Sequence, residues 1–286
     1  MHQIAAATEG ACTQSLDLAR LHGENIYTSF VNGPTGPAQR WVQPDTVSWG
    51  LDARHLHTIL DRTRPSFIVE VGTWKGLTAI TMGQWLKAQS SNASCPVIVC
   101  VDTWLGTTPA WTHRDTSGNT LFANAGYPSI FYQWLFNIKH AGLEELVVPL
   151  PLPSTMGALY FANSKLAPDL VFIDVRRIRS NKPTTCRIPA NVPPAVHKSL
   201  LLMTPALISQ ACHDYPCVYA DILSWYPLVQ QGGAVFGDDV NRAGVKQALI
   251  DATKKLETHY SLMGRYFIIF KGKQARSWAQ LRMVQE

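Results

Sequence analysis

The sequence predicts an α/β fold in which helices cover both faces of a mostly parallel sheet. Short apolar runs rich in β-branched residues alternate along the 286-residue chain with longer segments whose apolar residues follow helical spacing. Strands that are apolar throughout are typical of parallel sheets, because both faces of such sheets are buried. Four of the runs also end in acidic residues, at the sheet edge where these folds bind ligands.

The predicted elements follow one another from residue 51 to residue 272. "LDARHLHTILDRTR" has apolar residues at helical spacing, whereas "SFIVEV" and "PVIVCVD" are short, β-branched runs that predict buried strands. "ELVVPL", "DLVFID", "GAVFGDD" and "RYFIIFKG" have the same character, and "PSIFYQWLFNIKHA" reads as an aromatic-rich helix. The predicted helices are 51–64, 75–89, 128–141, 221–230 and 244–257, and the predicted strands are 66–71, 96–102, 145–150, 169–174, 233–239 and 265–272.

The chain ahead of these elements has a different composition. Residues 1–50 mix short polar stretches with Gly and Pro, so we expect an N-terminal cap or arm there and one domain over 51–286. No apolar run reaches the roughly 18–20 residues of a membrane span, and the N-terminus lacks the apolar stretch of a signal peptide. Six cysteines without CxxC spacing predict free thiols and a cytoplasmic location.

The net charge of +5 comes from a single segment. Residues 175–210 contain six Lys and Arg and no Asp or Glu, so the rest of the chain has no basic excess. We therefore expect no nucleic-acid or membrane partner, and a small molecule as the acceptor. A homo-oligomer is left open.

Acidic residues recur at the ends of the predicted strands. Glu70, Asp102 and Asp174 lie at three of these ends, and the pair Asp238 and Asp239 at a fourth. A buried strand gains no stability from a carboxylate, and the carboxyl ends of parallel strands share one edge of the sheet. The pattern therefore predicts a ligand site at that edge.

The turn after the first strand indicates the kind of ligand. "EVGTWKG" has GxxxG spacing, with Trp74 where a dinucleotide fingerprint has its second glycine, so a nicotinamide enzyme is disfavoured. Glu70 suits a ligand with a cationic group, and Asp102 suits a ribose diol; S-adenosylmethionine has both. The alternatives are a simple tight turn for Gly72 and Gly76, and a helix N-cap for Asp102.

Several motifs together resemble the class I S-adenosylmethionine-dependent methyltransferases, which have a Rossmann-like fold. "FIVEVGTWKGLTA", "VIVCVDTWLG", "GYPSIFYQWLFNIKHAGLEELVVPLPLPS", "DLVFID" and "GGAVFGDDV" are most similar to the branch with the macrocin-type O-methyltransferases, called methyltransferase domain family 24. The similarity runs from about residue 50 to residue 272, apart from 175–210. It implies that the methionine part contacts Glu70, Gly72, Thr73 and Gly76, the ribose Asp102, the nucleoside Thr103 and Trp104, and the adenine end Ser154.

The same resemblance implies a magnesium site and a general base. Metal-dependent members of the branch have FID-x-x-H, followed at the next strand by paired acids. Here Asp174 has no histidine within reach until "ACHDY", where His213 lies three positions after Asp174 once residues 175–210 are removed. The implied metal ligands are Asp174, Asp238 and Asp239, and the implied catalytic residues are His213 and Asp174.

Residues 175–210 therefore read as an insert within a complete motif. The segment has five prolines, and its first and last residues, Val175 and Gln210, permit codons that begin with GT and end with AG. We interpret it as a retained intron, with a real surface loop as the alternative. The aromatic residues Trp104 and Trp111 are candidates for an acceptor pocket, whereas Tyr132 and Trp134 are expected in the core.

From these features we expect an O-methyltransferase that acts on a small hydroxylated acceptor, such as a sugar or a phenolic compound, with Mg²⁺ assistance. In this mechanism the ion lowers the pKa of the acceptor hydroxyl and His213 removes its proton. Two alternatives remain open. One is a non-catalytic S-adenosylmethionine-binding fold, inactive because the insert separates Asp174 from His213, and the other is a dinucleotide-dependent oxidoreductase.

Overall fold

The computed structural model describes residues 22, 26–27, 44–46, 51–89, 96–106, 111, 123–124, 127–174 and 215–272. Two sequence predictions, the insert at 175–210 and the base His213, lie outside these residues and stay predictions. The ordered elements on either side of the insert are both described, since a strand ends at Ile173 and a helix begins at Tyr215.

The described part of the chain alternates strands and helices, as the sequence predicts. The helices are α1 (Ala53–Thr63), α2 (Leu77–Gln89), α3 (Ser129–His140), α4 (Ser154–Asn163), α5 (Tyr215–Trp225) and α6 (Ala243–Lys255), with a 3₁₀ turn at Tyr226–Leu228. The strands are β1 (Phe67–Val71), β2 (Val97–Val101), β3 (Ala123–Asn124), β4 (Tyr127–Pro128), β5 (Val147–Leu150), β6 (Leu170–Ile173), β7 (Ala234–Gly237), β8 (Ser261–Met263) and β9 (Tyr266–Phe270).

Seven strands form one sheet, in the order β5-β2-β1-β6-β7-β9-β8. The five strands from β5 to β7 are parallel, whereas β9 runs antiparallel to β7 and β8 antiparallel to β9. The parallel strands therefore have the 3-2-1-4-5 order of Rossmann-like folds, and the strand order reverses between β1 and β6. The predicted α/β fold with a mostly parallel sheet is confirmed.

Both faces of the sheet are buried, which explains why the strands are apolar throughout. Ile68 of β1 belongs to a core cluster that also contains Trp134 of α3. Phe67, Val69 and Val71 point to the opposite face, into a second cluster with residues of α4, α5 and α6. Burial of two faces removes the alternation of polar and apolar residues that a half-exposed strand shows.

Some elements have no clear signal in the sequence. Helix α4 was not predicted because small residues, and not a stripe of large ones, face the sheet: a Cβ on Gly157 would lie 2.7 Å from Cγ1 of Val101. Strand β8 has only three residues at the edge of the sheet, and the pair β3–β4 has two residues in each strand. Helix α5 begins at Tyr215, six residues before the predicted start.

The described residues of the predicted N-terminal arm contact the main domain. The Tyr27 hydroxyl donates to the carbonyl oxygen of Val147 at 2.6 Å, and Nε2 of His22 lies 2.9 Å from the carbonyl oxygen of Pro149. Both contacts reach β5, the strand at one end of the sheet. His22 and Tyr27 therefore pack along that end of the sheet.

Two of the predicted free cysteines fall in the described part of the chain. Cys100 is a buried free thiol, as expected. Cys217 is disulfide-bonded, so the expectation of a free thiol is wrong for this residue. Among the described residues, none of the helices combines the length and apolar character needed to cross a bilayer.

Two glycines with the same backbone conformation allow the packing at the first turn to be tested. Gly76 and Gly232 have φ values of +88° and +87°, but a Cβ on Gly76 would lie 3.0 Å from Trp134 whereas one on Gly232 would meet nothing within 4 Å. Gly232→Ala should therefore lower the free energy of unfolding by only about 1–2 kcal/mol, the cost of a left-handed residue. Gly76→Ala should add about 1–3 kcal/mol more, because it overpacks a rigid contact.

Urea denaturation of both variants measures this difference. Equal loss of stability would show that Trp134 moves aside without cost, and that the contact does not require glycine at position 76.

Candidate functional site

The carboxyl ends of the parallel strands gather the predicted site residues at one edge of the sheet. Gly72, Asp102 and Asp174 follow β1, β2 and β6, and Asp238 follows β7. Because β9 runs antiparallel to β7, the β8–β9 turn with Arg265 also reaches this edge. The edge therefore also contains Arg265, a basic residue that the sequence analysis did not assign to the site.

A small cleft opens beside the point where the strand order reverses. It encloses about 190 Å³, part of it open solvent, and its walls come from the ends of three adjacent strands. The enclosed part is only about 10 Å³, roughly the space of one water molecule, so the described residues form one wall of a ligand site and not an enclosed pocket. The lining residues are Val71, Gly72, Val101, Asp102, Thr103, Leu152, Pro153 and Ser154.

Asp102 joins the glycine turn to the end of β2. One carboxylate oxygen, Oδ2, accepts hydrogen bonds from the backbone N–H groups of Thr73 at 3.0 Å and Trp74 at 3.1 Å. The other, Oδ1, accepts from the N–H of Trp104 at 2.7 Å. The carboxylate thus fixes two loops that follow neighbouring strands, and it still lines the cleft.

The two tryptophans bonded to Asp102 have unusual backbone conformations. Trp74 and Trp104 both have a φ of +50°, in the left-handed region that costs about 1–2 kcal/mol for a residue with a side chain. Besides the bonds from Asp102, the indole N–H of Trp104 donates to the carbonyl oxygen of Trp74 at 3.1 Å. Strained residues held by surrounding bonds in this way are found most often at functional sites.

Glu70 lies behind the cleft and not in its wall. Its side chain has no exposed surface, and the Cys100 thiol of β2 donates to its Oε2 at 3.4 Å. Burial, and next the negative charge of Glu70, raise the pKa of Cys100 well above its ordinary value, so the thiol keeps its proton. The expected contact between Glu70 and a cofactor ammonium would require the turn to move, and it stays a prediction.

The remaining residues of the turn pack inward. The indole N–H of Trp134 donates to Oγ1 of Thr73 at 3.0 Å, and Gly76 lies against the same indole. Trp104 is 1% exposed and belongs to the core cluster with Trp134, while Tyr132 is half-buried. Trp134 is therefore in the core as predicted, and of the two pocket candidates only Trp111 is exposed.

The turn is also tied to the N-terminal arm. Lys75 is buried, and its Nζ donates to Asp45 of the arm at 2.5 Å. Asn137 of α3 donates from Nδ2 to the carbonyl oxygens of Lys75 at 2.8 Å and of Asp45 at 2.7 Å. One side chain of α3 therefore bridges the arm and the turn.

Ser154 begins helix α4 at the far wall of the cleft. Its hydroxyl donates to Oδ1 of Asp221 at 2.5 Å, and it accepts from the indole N–H of Trp225 at 2.9 Å. Asp221 has no exposed surface. The sequence analysis did not assign Asp221 a role, although an aspartate on the apolar face of "YADILSW" is an unusual residue for a core.

The three carboxylates predicted to bind magnesium do not form a metal group. Nη2 of Arg265 donates to Oδ2 of Asp238 at 2.9 Å and also contacts Oδ1 of Asp239. Nε of Arg242 lies 3.0 Å from Oδ2 of Asp239. Among the described residues, no set of three or more His, Cys, Asp or Glu side chains is arranged to hold a metal ion.

The charges around Arg265 keep it protonated. Burial, the largest influence, lowers the pKa of the guanidinium, but Asp238, Asp239 and Asp174 raise it, and the net direction is upward. Tyr266, the next residue, has its pKa raised to about 12 by burial. This end of the site therefore has a permanent positive charge between carboxylates.

The geometry thus brings together part of the predicted site. Gly72, Asp102, Thr103 and Ser154 share the cleft, whereas Thr73, Gly76 and Trp104 shape the turn beside it. Asp238 and Asp239 surround Arg265 further along the same edge. A ligand in the cleft would meet hydrogen-bond acceptors on Asp102 and backbone groups of the glycine turn.

Comparison with known proteins gives matches among solved structures alone. None of the protein-family models matches the chain, and neither does any curated protein. The apo structure of CalS11, a TDP-rhamnose 3′-O-methyltransferase of calicheamicin biosynthesis, is 13% identical with a TM-score of 0.49, and the match covers 86% of this chain and 92% of CalS11.

Two further matches are similar in extent. An O-methyltransferase from Bacillus cereus, in complex with SAH, is 13% identical with a TM-score of 0.46 and coverage of 89% of this chain and 100% of that one. The O-methyltransferase NovP is 14% identical with a TM-score of 0.45 and coverage of 78% of each chain. Because the identities and TM-scores are this low, we draw no functional conclusion from these matches.

The bonds of Asp102 predict a large effect on stability. In Asp102→Asn, the amide nitrogen must face backbone N–H groups that now bind an oxygen, so at least one charge-assisted hydrogen bond is lost. We expect the free energy of unfolding to fall by about 2–4 kcal/mol in urea denaturation. A loss below about 0.5 kcal/mol would show that the carboxylate does not support the two loops.

The pKa of Cys100 predicts a pH dependence of stability. The folded-state pKa is raised, so this thiol favours the folded state fully below its unfolded pKa of about 8.5 and less as the pH rises above that value. The free energy of unfolding should therefore fall more steeply above about pH 8.5 in the native protein than in Cys100→Ala. Parallel curves would contradict the assigned pKa direction.

Proposed function

We propose that this protein is an S-adenosylmethionine-dependent methyltransferase that methylates a hydroxyl oxygen of a small acceptor. The observation that carries the proposal is Asp102, whose carboxylate accepts two N–H groups of the glycine turn and one of the loop after β2, and which also lines the cleft. The cleft lies beyond the carboxyl ends of β1, β2 and β5, next to the point where the strand order reverses, and doubly wound folds bind nucleoside ligands at this edge of the sheet.

The cleft suits the nucleoside half of this cofactor. An ionised carboxylate has roughly four lone-pair positions, and the three backbone bonds leave capacity for a ribose hydroxyl. Gly72 has a φ of +83° and lets a ligand approach the backbone at the end of β1. Ser154, at the first turn of α4, lies at the other wall, where we infer the adenine end.

The same features disfavour the dinucleotide-dependent oxidoreductase. A pyrophosphate needs open backbone N–H groups at a helix N-terminus, with no negative charge beside them. Here the N–H groups of Thr73 and Trp74 bind Asp102, whose charge would repel a phosphate. A positively charged sulfonium nucleoside meets no such repulsion.

The chemistry proposed for the bound complex is a single displacement. S-adenosylmethionine, when bound, supplies a methyl group on a sulfonium; the acceptor oxygen forms the new C–O bond as the C–S bond breaks, and the hydroxyl proton leaves. The chain's own contribution is to hold both reactants in line. His213 stays the proposed base. It would lie three positions after Asp174, at the end of β6, once residues 175–210 are removed.

Magnesium does not fit the described residues as they stand. Two of its three predicted ligands, Asp238 and Asp239, contact the guanidinium of Arg265, and a cation could bind there only after Arg265 withdrew. The proposed transfer therefore has no step that requires a metal ion.

The acceptor class is also part of the proposal. We infer a sugar or a phenolic hydroxyl compound, from the resemblance of "VDTWLG" and "GYPSIFYQW" to the macrocin-type branch. Neither a nucleic acid nor a membrane is proposed as a partner, and a homo-oligomer stays open. The cytoplasmic location stays a prediction, and the disulfide at Cys217 is unusual for a reducing compartment.

The second candidate is a form that binds S-adenosylmethionine without catalysis. It follows from the sequence, in which residues 175–210 separate Asp174 from His213. Methyl transfer by the 286-residue chain and by a variant without 175–210 distinguishes the two. Activity of the shorter variant alone supports the retained intron, and activity of both supports a surface loop.

Calorimetric titration with S-adenosylhomocysteine tests the cofactor site. We expect the native protein to bind and Asp102→Asn to bind at least ~10-fold more weakly, because the turn loses its support and the ribose its acceptor. Asp169→Asn is the matched control: Oδ2 of Asp169 accepts from the N–H groups of Ser66 and Phe67, at the opposite edge of the sheet.

Asp169→Asn should lose stability but keep its affinity for S-adenosylhomocysteine. Equal loss of affinity in both variants would assign the effect to stability alone. No binding heat from the native protein or from the variant without 175–210 would overturn the cofactor assignment.

A further inference from the structure

We infer that Arg265 is a built-in cation for the carboxylates at the end of β7, so that this site binds no divalent metal ion and methyl transfer needs none. The claim that methyl transfer needs no metal ion rests on the proposed function. The part that concerns metal binding rests on the contacts of Arg265 alone.

The contacts of Arg265 occupy both carboxylates of the pair. Asp238 and Asp239 are 7% and 8% exposed, and Nη2 of Arg265 donates to an oxygen of each. Asp239 has a second basic partner in Arg242, whose Nε is 3.0 Å away. Buried carboxylates require a compensating charge, and here two guanidinium groups supply it.

The backbone fixes Arg265 in this position. The N–H of Val240 donates to the carbonyl oxygen of Arg265 at 3.0 Å, which ties the loop after β7 to the β8–β9 turn. Asp239 has a φ of +57° in that loop, and its carbonyl oxygen accepts from the N–H of Arg242 at 2.9 Å. The carboxylates and the arginine are therefore held together by main-chain bonds as well as by charge.

A divalent cation would have to displace this arginine. The guanidinium cannot lose its proton in a protein, so it repels a second cation at every accessible pH. Magnesium demands near-ideal octahedral geometry with oxygen ligands, whereas both carboxylates direct an oxygen toward Nη2. Displacing Arg265 would break its contacts with both carboxylates, which disfavours the exchange.

Arg265 consequently has a positioning role in the proposed reaction. It offsets the charge of Asp238 and Asp239, and its charge also acts on Asp174 at the end of β6. The sheet edge beside the cleft therefore has a fixed positive charge that does not depend on the concentration of a metal ion.

Calorimetric titration of the full chain with Mg²⁺ and with Mn²⁺ tests the site. We expect no saturable binding to the native protein or to Arg265→Lys, which keeps the charge. Arg265→Met should gain saturable binding at least ~10-fold tighter than the native protein, because the carboxylates lose their cation. Arg242→Met is the matched control, since it removes one arginine from the cluster but keeps Arg265, and it should not gain a site.

Thermal melting gives a second readout that does not require a fully stable variant. A ligand of the folded state raises the melting temperature, so Mg²⁺ and Mn²⁺ should raise that of Arg265→Met and leave that of the native protein unchanged. Saturable binding of one ion to the native protein, lost in Asp238→Asn, would overturn the inference. So would an Arg265→Met variant that folds and binds no ion.

Methyl transfer in the presence of a chelator completes the test. The native rate should be unchanged by EDTA, and a loss restored by Mg²⁺ would overturn the metal-independent part. If no acceptor is methylated under any condition, the proposed function fails, whereas the binding and melting experiments still decide whether Arg265 takes the place of the ion.

Discussion

The site depends on the carboxylate of Asp102. Its two oxygens accept three backbone N–H groups from two loops, and two of the donors, Trp74 and Trp104, have left-handed backbones. Without an acceptor at this point, both loops would relax toward commoner conformations. Asp102, which the sequence analysis assigns to ligand binding, therefore also stabilises the two loops that form the wall of the cleft. The effects of an Asp102 substitution on binding and on stability can be separated only by comparison with Asp169, at the opposite edge of the sheet.

Charge is arranged differently at the two ends of the same edge. Around the cleft, Asp102 is negative and is satisfied by uncharged N–H groups, which leaves a region suited to a cationic ligand. Along β7, Asp238 and Asp239 are satisfied by guanidinium groups. The resemblance to metal-dependent enzymes covers the carboxylates but says nothing about their partners. Whether acidic residues form a metal site is decided by what lies opposite them, and here that is an arginine.

The sequence predicted the sheet well and the contacts of the site only in part. Apolar, β-branched runs identified the core strands because burial on both faces leaves few other residue choices. Helix α4 was not predicted because Gly157 and Ala158 pack closely against the sheet, whereas the prediction of helices relied on large apolar residues at helical spacing. The pairing of Arg265 with Asp238 was not predicted for another reason. The two residues are 27 positions apart, and they meet only because β9 runs antiparallel to β7, which the sequence does not reveal. The Asp221–Ser154 bond joins two helices across 67 positions, and the sequence does not show which helices lie side by side.

The bridge from Asn137 to Asp45 and Lys75 couples the N-terminal arm to the turn beside the cleft. Thermodynamic linkage makes such a coupling reciprocal. A ligand that orders the turn would also hold Asp45 more tightly against Lys75 and Asn137. Conversely, a change that draws Asp45 away from Lys75 would weaken the binding of that ligand without altering the cleft. The contacts of Asp45 would then influence the affinity of the site although Asp45 does not line the cleft.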